Sequence, residues 1–235
     1  MKCYWWDEFD NFGDLLGPAL LQHFGVRSEH AEPAEADLVC IGSVLGHLPD
    51  GWRGTVAGAG LLDSGHVPDL SGARIRAVRG PLTASALGLS VPVCADPGLL
   101  AHELLGPMPS KVYTVGVLPH WSDSALTSVY PGEHELSPIV NSNGIRSMVL
   151  EIAQCETLIT SSLHGLIVAD ALGIPVQAEA YGRLRRPKEG GDFKWRDYAA
   201  SLGIEHRWGK RRVAPCDTVR RLQGELMEVF DGLRG

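Results

Sequence analysis

Apolar and polar positions along the chain alternate with strand-like and helix-like spacing, most clearly across residues 157–175. An apolar, β-branched pair at 158–159 is long enough for the end of a buried strand. The hydroxyl residues 160–162 follow, and such residues are typical of a helix start. From Leu163 apolar residues recur at three- and four-residue spacing until Gly173 stops the helix. This stretch therefore predicts a strand, a tight turn, a helix and the start of another strand.

The same alternation extends over the rest of the chain in two runs, separated by a linker-like segment at 106–110. The first run predicts strands at 3–6, 37–42, 55–60, 74–79 and 91–95, and helices after the turn at 11–14 and from Pro81. The second run predicts strands at 112–118, 158–159 and 176–178, a candidate strand at 138–140, and helices at 147–155 and 218–233.

Two such runs predict an α/β fold with two Rossmann-like domains facing each other across a cleft. We place the boundary between an N-terminal domain, residues 1–107, and a C-terminal domain, residues 108–235. The final helix at 218–233 is predicted to pack back on the N-terminal half.

An anion site is expected at the start of the helix that follows residue 160. The first amides of a helix have no partner within it, and the helix dipole adds partial positive charge there. Ser161 and Ser162 could add hydroxyl donors, and His164 lies in the first turn. The alternative is that both serines only cap the helix and that His164 is a packed surface histidine.

Other polar residues are predicted at the carboxyl ends of strands, where open α/β sheets bind ligands. Asn11, Gly13 and Asp14 follow the first strand, and His120 follows the strand at 112–118. Arg79 stands where a strand meets a helix, and its guanidinium could bind a carboxylate or phosphate bidentately. Asp14 could instead be only a helix cap, and Arg79 only one half of an exposed ion pair.

Composition narrows the class of protein. The net charge of −7 argues against a nucleic-acid binder. The five cysteines are scattered without a C-x-x-C pair, which favours reduced thiols in a cytoplasmic protein over disulfides or a zinc site. No apolar run approaches the roughly 18 residues that cross a bilayer, and the N-terminus lacks a secretory signal. No spacing typical of a metal site is present.

Residues 183–212 depart from this acidic balance. They hold ten basic side chains against four acidic ones. This segment could be a platform for an anionic substrate or an anionic membrane surface, or simply a solvated basic face. Within it, Lys194 lies between Phe193 and Trp195, so flanking aromatic rings could pin the backbone.

Together these pieces resemble the polysaccharide pyruvyltransferase family, and most of all its branch that modifies bacterial exopolysaccharides. The motifs that carry the resemblance occur in family order: N-F-G-D at 11–14, R-G-P-L-T at 79–83, D-P-G at 96–98, L-P-H at 118–120, S-S-L-H-G at 161–165 and F-K-W-R-D-Y at 193–198. The resemblance implies a fold similar to GT-B glycosyltransferases. It also implies transfer of the pyruvyl unit of phosphoenolpyruvate to two sugar hydroxyls, with a cyclic ketal and phosphate as products.

The resemblance implies that Arg79 and His164 bind phosphoenolpyruvate. We expect its phosphate at the helix start formed by Ser161, Ser162, Leu163 and Gly165, and its carboxylate or a shared oxygen at Arg79. The family has arginine where this chain has Ser162, so we expect His120, Lys194 or Arg183 to supply the missing cation. His164 and His120 are the candidates for general acid.

Asp14 is the candidate base or sugar ligand, with Asn11 and Gly13 beside it. No metal or further cofactor is needed for this chemistry. The acceptor could be a lipid-linked oligosaccharide at the inner face of the membrane. Two rival functions stay open: a GT-B-type nucleotide-sugar glycosyltransferase, and a catalytically idle homologue that binds sugars or anions.

Overall fold

Two sheets, built almost entirely from parallel strands, form the framework of the structure, a computed structural model in which residues 1–90, 93–180 and 191–234 are described. The first sheet has the order β2-β1-β3-β4-β5-β6, formed by β1 (Lys2–Cys3), β2 (Glu29–His30), β3 (Leu38–Val39), β4 (Thr55–Ala57), β5 (Arg74–Val78) and β6 (Val93–Cys94). All its neighbouring strands run parallel. The second sheet has the order β11-β10-β9-β7-β8, formed by β7 (Tyr113–Leu118), β8 (His134–Glu135), β9 (Cys155–Thr160), β10 (Val176–Ala178) and β11 (Arg211–Arg212). Only β11 is antiparallel to its neighbour.

Helices connect and cover these strands. They are α1 (Phe12–His23), α2 (Pro81–Ala86), α3 (Gly144–Ala153), α4 (Leu163–Ala171), α5 (Phe193–Ser201) and α6 (Cys216–Asp231). Four 3₁₀ segments accompany them at Pro33–Glu35, Leu45–His47, Pro97–Leu104 and Ser124–Val129. The predicted α/β class is therefore confirmed, as is the strand–turn–helix–strand unit formed by β9, α4 and β10. No helix in the described ranges combines the length and apolar character needed to cross a bilayer.

Several predicted boundaries were wrong. The strand predicted at 3–6 is only Lys2–Cys3, because the ring of Trp6 packs against Trp121 outside the sheet. The helix predicted at 147–155 begins at Gly144 and ends at Ala153, so that Cys155 already belongs to β9. The candidate strand at 138–140 contributes only a single bridge between Ile139 and Asn11.

One cluster of buried residues draws on both sheets and on most of the helices. The 3₁₀ segment Pro97–Leu104 lies near its centre, in contact with α1, α4 and α6. Helix α6 also contacts β5 and β6 of the first sheet. Helix α4 is buried on almost every side, as expected of a helix that is apolar all round. The boundary after residue 107 and the cleft arrangement stay predictions.

Candidate active site

The turn between β9 and α4 is held by its own hydroxyl groups. Thr160 Oγ1 donates to the carbonyl of Leu118 at 2.7 Å and accepts from the Ser162 amide at 2.9 Å. Ser162 Oγ caps α4 by accepting from the Gly165 amide at 3.3 Å. In the described part of the chain, no partner is seen for the first two amides of α4. The serine is therefore a cap, and the amides of Leu163 and His164 are the donors that this turn offers.

The ring of His164 is fixed against the start of α1. A Cβ atom on Gly13 would overlap the imidazole Nδ1, so only glycine fits beside this ring. The side chain of His164 is 12% exposed. Burial lowers the pKa of His164 to about 3, and the nearby positive charges of Lys194 and Arg79 act in the same direction. The imidazole is thus neutral at pH 7 in the ligand-free chain.

Asp96 faces the other nitrogen of this imidazole. Its Oδ2 lies 3.9 Å from His164 Nε2, and neither atom has a hydrogen-bond partner within the described ranges. Burial raises the pKa of Asp96 to about 7, although the Gly98 amide and the charge of Arg79 oppose this. The carboxyl is thus close to half-protonated at neutral pH, and the proton that the Asp96–His164 pair holds there resides on Asp96.

A third ionisable group, Asp14, lies on the α1 side of the site. Asn11 Nδ2 donates to Asp14 Oδ2 at 2.6 Å. Burial raises the pKa of Asp14 to about 6, against the lowering effects of the Asn11 hydrogen bond and the Lys194 charge. Burial likewise lowers the pKa of Lys194 to about 8, reinforced by Arg79 and opposed by Asp14. At neutral pH the lysine is mainly protonated and Asp14 is mainly ionised.

Arg79 is completely buried at the end of β5. Its Nε donates to Asp197 Oδ2 at 3.0 Å, Nη1 donates to Ser43 Oγ at 2.7 Å, and Nη2 donates to the carbonyl of Leu61. Asp197 also accepts from the amide and hydroxyl of Thr83, at 2.9 and 2.6 Å. This network takes up one donor from each nitrogen and ties α5 to the first sheet, so Arg79 is not one half of an exposed ion pair. Its binding of an anion stays a prediction.

His120 and Asp123 border the site on the second sheet. The His120 amide donates to Ser161 Oγ at 2.9 Å, and its Nδ1 lies 2.8 Å from Ser122 Oγ. Electrostatic interaction with His120 contributes to the lowered pKa of His164. Asp123 is 6% exposed, and burial raises its pKa while a hydrogen bond with Ser161 opposes this. Ser161 thus ties the ends of β7 and β9 together.

The structure therefore gathers most of the predicted residues around one point. These are Asn11, Gly13, Asp14, Arg79, His120, Ser161, Ser162, Leu163, His164, Gly165 and Lys194. Arg183 lies outside the described residues. Sequence reasoning missed Asp96 and Asp197, although both stand in motifs that the resemblance uses. For Asp96 the missed signal was a carboxylate at a strand's carboxyl end.

The basic segment does not form one continuous face in its described part. Arg212 Nη1 binds Asp170 at 2.7 Å, and the guanidinium of Arg207 binds Glu205 at the same distance. Lys194 turns into the site, while Arg196 on the same helix is exposed, with Asp192 at 3.8 Å. Association with an anionic membrane stays a prediction. The described residues contain no group of three or more His, Cys, Asp or Glu side chains that could hold a metal.

Comparison with known proteins gives matches that include these motifs. A family model for the polysaccharide pyruvyl transferase matches residues 70–182. The succinoglycan biosynthesis protein ExoV of Rhizobium meliloti (strain 1021) is 32% identical over 230 residues, which cover 91% of this chain and 68% of that relative. An uncharacterized protein of Acanthamoeba polyphaga mimivirus is 28% identical over 116 residues, 47% of this chain and 40% of its own length. No solved structure gives a significant match.

Proposed function

The chain belongs to the polysaccharide pyruvyl transferase family, and from that premise we propose that it transfers the pyruvyl group of phosphoenolpyruvate to two hydroxyls of one sugar. The acceptor is a bacterial exopolysaccharide or its lipid-linked precursor, and the product is a cyclic ketal. The relative named for succinoglycan biosynthesis supports such an acceptor. The observation that carries the proposal is a group of ionisable side chains at the start of α4, of which Asp14, Arg79 and Asp96 are buried and His164 and Lys194 are partly buried.

The donor needs two anion-binding elements, one for phosphate and one for carboxylate. We assign the phosphate to the unpartnered amides at the start of α4, where the helix dipole also favours negative charge. Lys194 supplies the cation that the family places at the position of Ser162. Its charge is, after burial, the largest influence on the pKa of His164, so the ammonium lies close to that first turn.

Arg79 acts on the carboxylate mainly through its charge. Its hydrogen bonds to Asp197, Ser43 and Leu61 leave further N–H groups on the guanidinium. A Cβ atom on Gly60 would overlap the central carbon of the Arg79 guanidinium. The Gly60 backbone therefore lies directly against this group. Arg79 thus contributes a fixed positive potential at the first sheet, and it positions α5, which carries Lys194.

The Asp96–His164 pair is suited to supply the first proton. Protonation of the methylene carbon of phosphoenolpyruvate makes the central carbon electrophilic. Asp96 is about half-protonated near neutral pH, and binding of an anionic donor raises the pKa of a neighbouring imidazole. His164 then delivers the proton as general acid, with Asp96 behind it. His120 is the second candidate for this role.

Asp14 is suited to accept protons from the sugar. With a pKa of about 6 it is ionised at neutral pH yet basic enough to act as general base. The first hydroxyl oxygen attacks the central carbon, phosphate leaves, and the second hydroxyl closes the ketal. One of the two hydroxyl protons replaces the proton that was delivered to the new methyl group. The other is taken up by the released phosphate.

Calorimetric titration with phosphoenolpyruvate and, separately, with UDP-sugars tests the donor. We expect heat only with phosphoenolpyruvate, followed by acceptor-dependent phosphate release in a product assay. Heat with a UDP-sugar alone would favour a glycosyltransferase. Phosphoenolpyruvate binding without any turnover of a suitable acceptor would favour a catalytically idle homologue.

A further inference from the structure

Three aromatic rings meet beside His120. The centroids of Trp6 and Trp121 are 5.4 Å apart, and those of Phe9 and Trp121 are 4.8 Å apart, with planes inclined by 30° in both pairs. Phe9 is 47% exposed, and both tryptophans are half-buried. We call these three residues the aromatic shelf. Its rings are thus only partly covered by the chain.

The aromatic shelf is continuous with the proposed active site. Trp121 follows His120, and the two rings have centroids 5.4 Å apart. Phe9 belongs to the loop that leads to Asn11, the hydrogen-bond partner of Asp14. The shelf therefore lies beside the second histidine, and the loop that carries Phe9 continues into the residues that hold the candidate general base.

The loop that carries Phe9 is fixed at its far end. The carbonyl of Asp10 accepts from the Val140 amide at 2.7 Å, and the Phe12 amide donates to the carbonyl of Pro138 at 2.9 Å. These bonds hold the loop from the first sheet against a segment of the second. A rigid platform of this kind costs little ordering entropy when a ligand binds.

The chemistry around the shelf fits a neutral sugar. A pyranose ring has an apolar C–H face that packs on an aromatic face, and hydroxyls at its edge that need acceptors. Asp7, Glu8 and Asp10 are all exposed beside Phe9, and they offer carboxylate oxygens to such hydroxyls. The same carboxylates repel anionic headgroups and nucleic acid. An uncharged saccharide is therefore the occupant that this surface favours.

We propose that Trp6, Phe9 and Trp121 form an acceptor subsite that stacks a neutral sugar ring of the polysaccharide while its hydroxyls face Asp14. The acceptor role of this subsite rests on the proposed function. The stacking of a sugar ring on the shelf does not depend on it. The matched alternative is a purely structural cluster that joins the two sheets. Loss of one ring would weaken sugar binding if the shelf is a subsite, and would lower stability if the cluster is only structural.

Phe9→Leu and Trp121→Leu test the subsite, with Val112→Ala at an exposed apolar position as the control. The probe is a set of oligosaccharides cut from succinoglycan and treated with mild acid to remove any ketal groups. We expect each shelf variant to weaken binding roughly threefold to tenfold, as loss of a stacked ring does. Quenching of tryptophan fluorescence and the acceptor KM both report this binding. Phosphoenolpyruvate affinity and the urea unfolding midpoint should match those of the control.

Three results would overturn the subsite: unchanged oligosaccharide affinity in both variants, absence of quenching in the unaltered protein, or a parallel loss of stability and phosphoenolpyruvate affinity. Failure of the proposed function gives a different pattern. In that case oligosaccharides still bind through the shelf, and phosphoenolpyruvate gives no heat in any form of the protein.

Discussion

Replacement of Asp197 by alanine tests the buried network that joins α5 to the first sheet. Asp197 is fully buried and accepts hydrogen bonds from Arg79 Nε and from the amide and hydroxyl of Thr83. Its removal leaves a guanidinium without its counterion in the interior, where burial already lowers the pKa of Arg79. The cost is expected to be large because a buried charge without a partner keeps its full desolvation penalty.

The expected loss is about 3–5 kcal/mol in the free energy of unfolding. For a chain of this length each kcal/mol shifts Tm by about 2–4 °C, so Tm should fall by about 6–20 °C. The double variant Arg79→Met with Asp197→Ala removes both charges together and should recover part of this loss. A coupling energy of about 1–3 kcal/mol is expected for two residues in direct contact.

Urea unfolding of the two single variants, the double variant and the unaltered chain measures this coupling. Phosphoenolpyruvate titration of the same proteins separates stability from binding, because the double variant should regain stability without regaining the charge of Arg79. If Asp197→Ala stays within about 0.5 kcal/mol of the unaltered chain, as a surface substitution would, then the network does not have the assigned role. The same holds if the double variant shows no coupling.

Three further outcomes are expected from the same site. Gly13→Ala should cost about 1–3 kcal/mol in stability and lower phosphate release, because its methyl group overlaps the His164 ring; Gly106→Ala, which meets open space, is the control. Between about pH 4 and pH 6.5 the folded chain holds a proton on Asp96 that the unfolded chain releases, so Asp96 makes stability fall as pH rises. His164 has the opposite effect, because in this range the unfolded chain holds a proton on the imidazole that the folded chain lacks. Burial also raises the pKa of Asp14, so the test compares slopes between the two proteins. Asp96→Asn should make stability rise more steeply, or fall less steeply, with pH across this window than in the unaltered chain, and an unchanged slope in urea unfolding would contradict the assignment. His164→Ala should abolish acceptor-dependent phosphate release, and near-normal release would remove His164 from the mechanism.

The central unit was predictable because its signals are local. Apolar spacing, the hydroxyl residues before Leu163 and the stop at Gly173 each act within one turn of their neighbours. The strand ends then located His164 and Asp14, since parallel strands deliver their carboxyl ends to one edge. Short strands were overestimated because side chains such as Trp6 pack outside the sheet.

The partners of Arg79 and His164 were not predictable from local pattern. Asp197 is 118 residues from Arg79 in the sequence, so nothing near the arginine indicates that it is buried and paired. Asp96 and His164 likewise meet only through the tertiary fold. Buried charges need partners, but a single sequence does not identify which of its many carboxylates provides one.

Binding of phosphoenolpyruvate to Lys194→Met, beside its helix neighbour Arg196→Met, tests the central claim most directly. Lys194 points into the site, whereas Arg196 is exposed on the same helix. Calorimetry should show that Lys194→Met weakens binding by about 1.5–3 kcal/mol, the range for a hydrogen bond to a charged group, while Arg196→Met binds like the unaltered chain. Equal affinity in both variants, or no heat with phosphoenolpyruvate in the unaltered protein, would contradict the account.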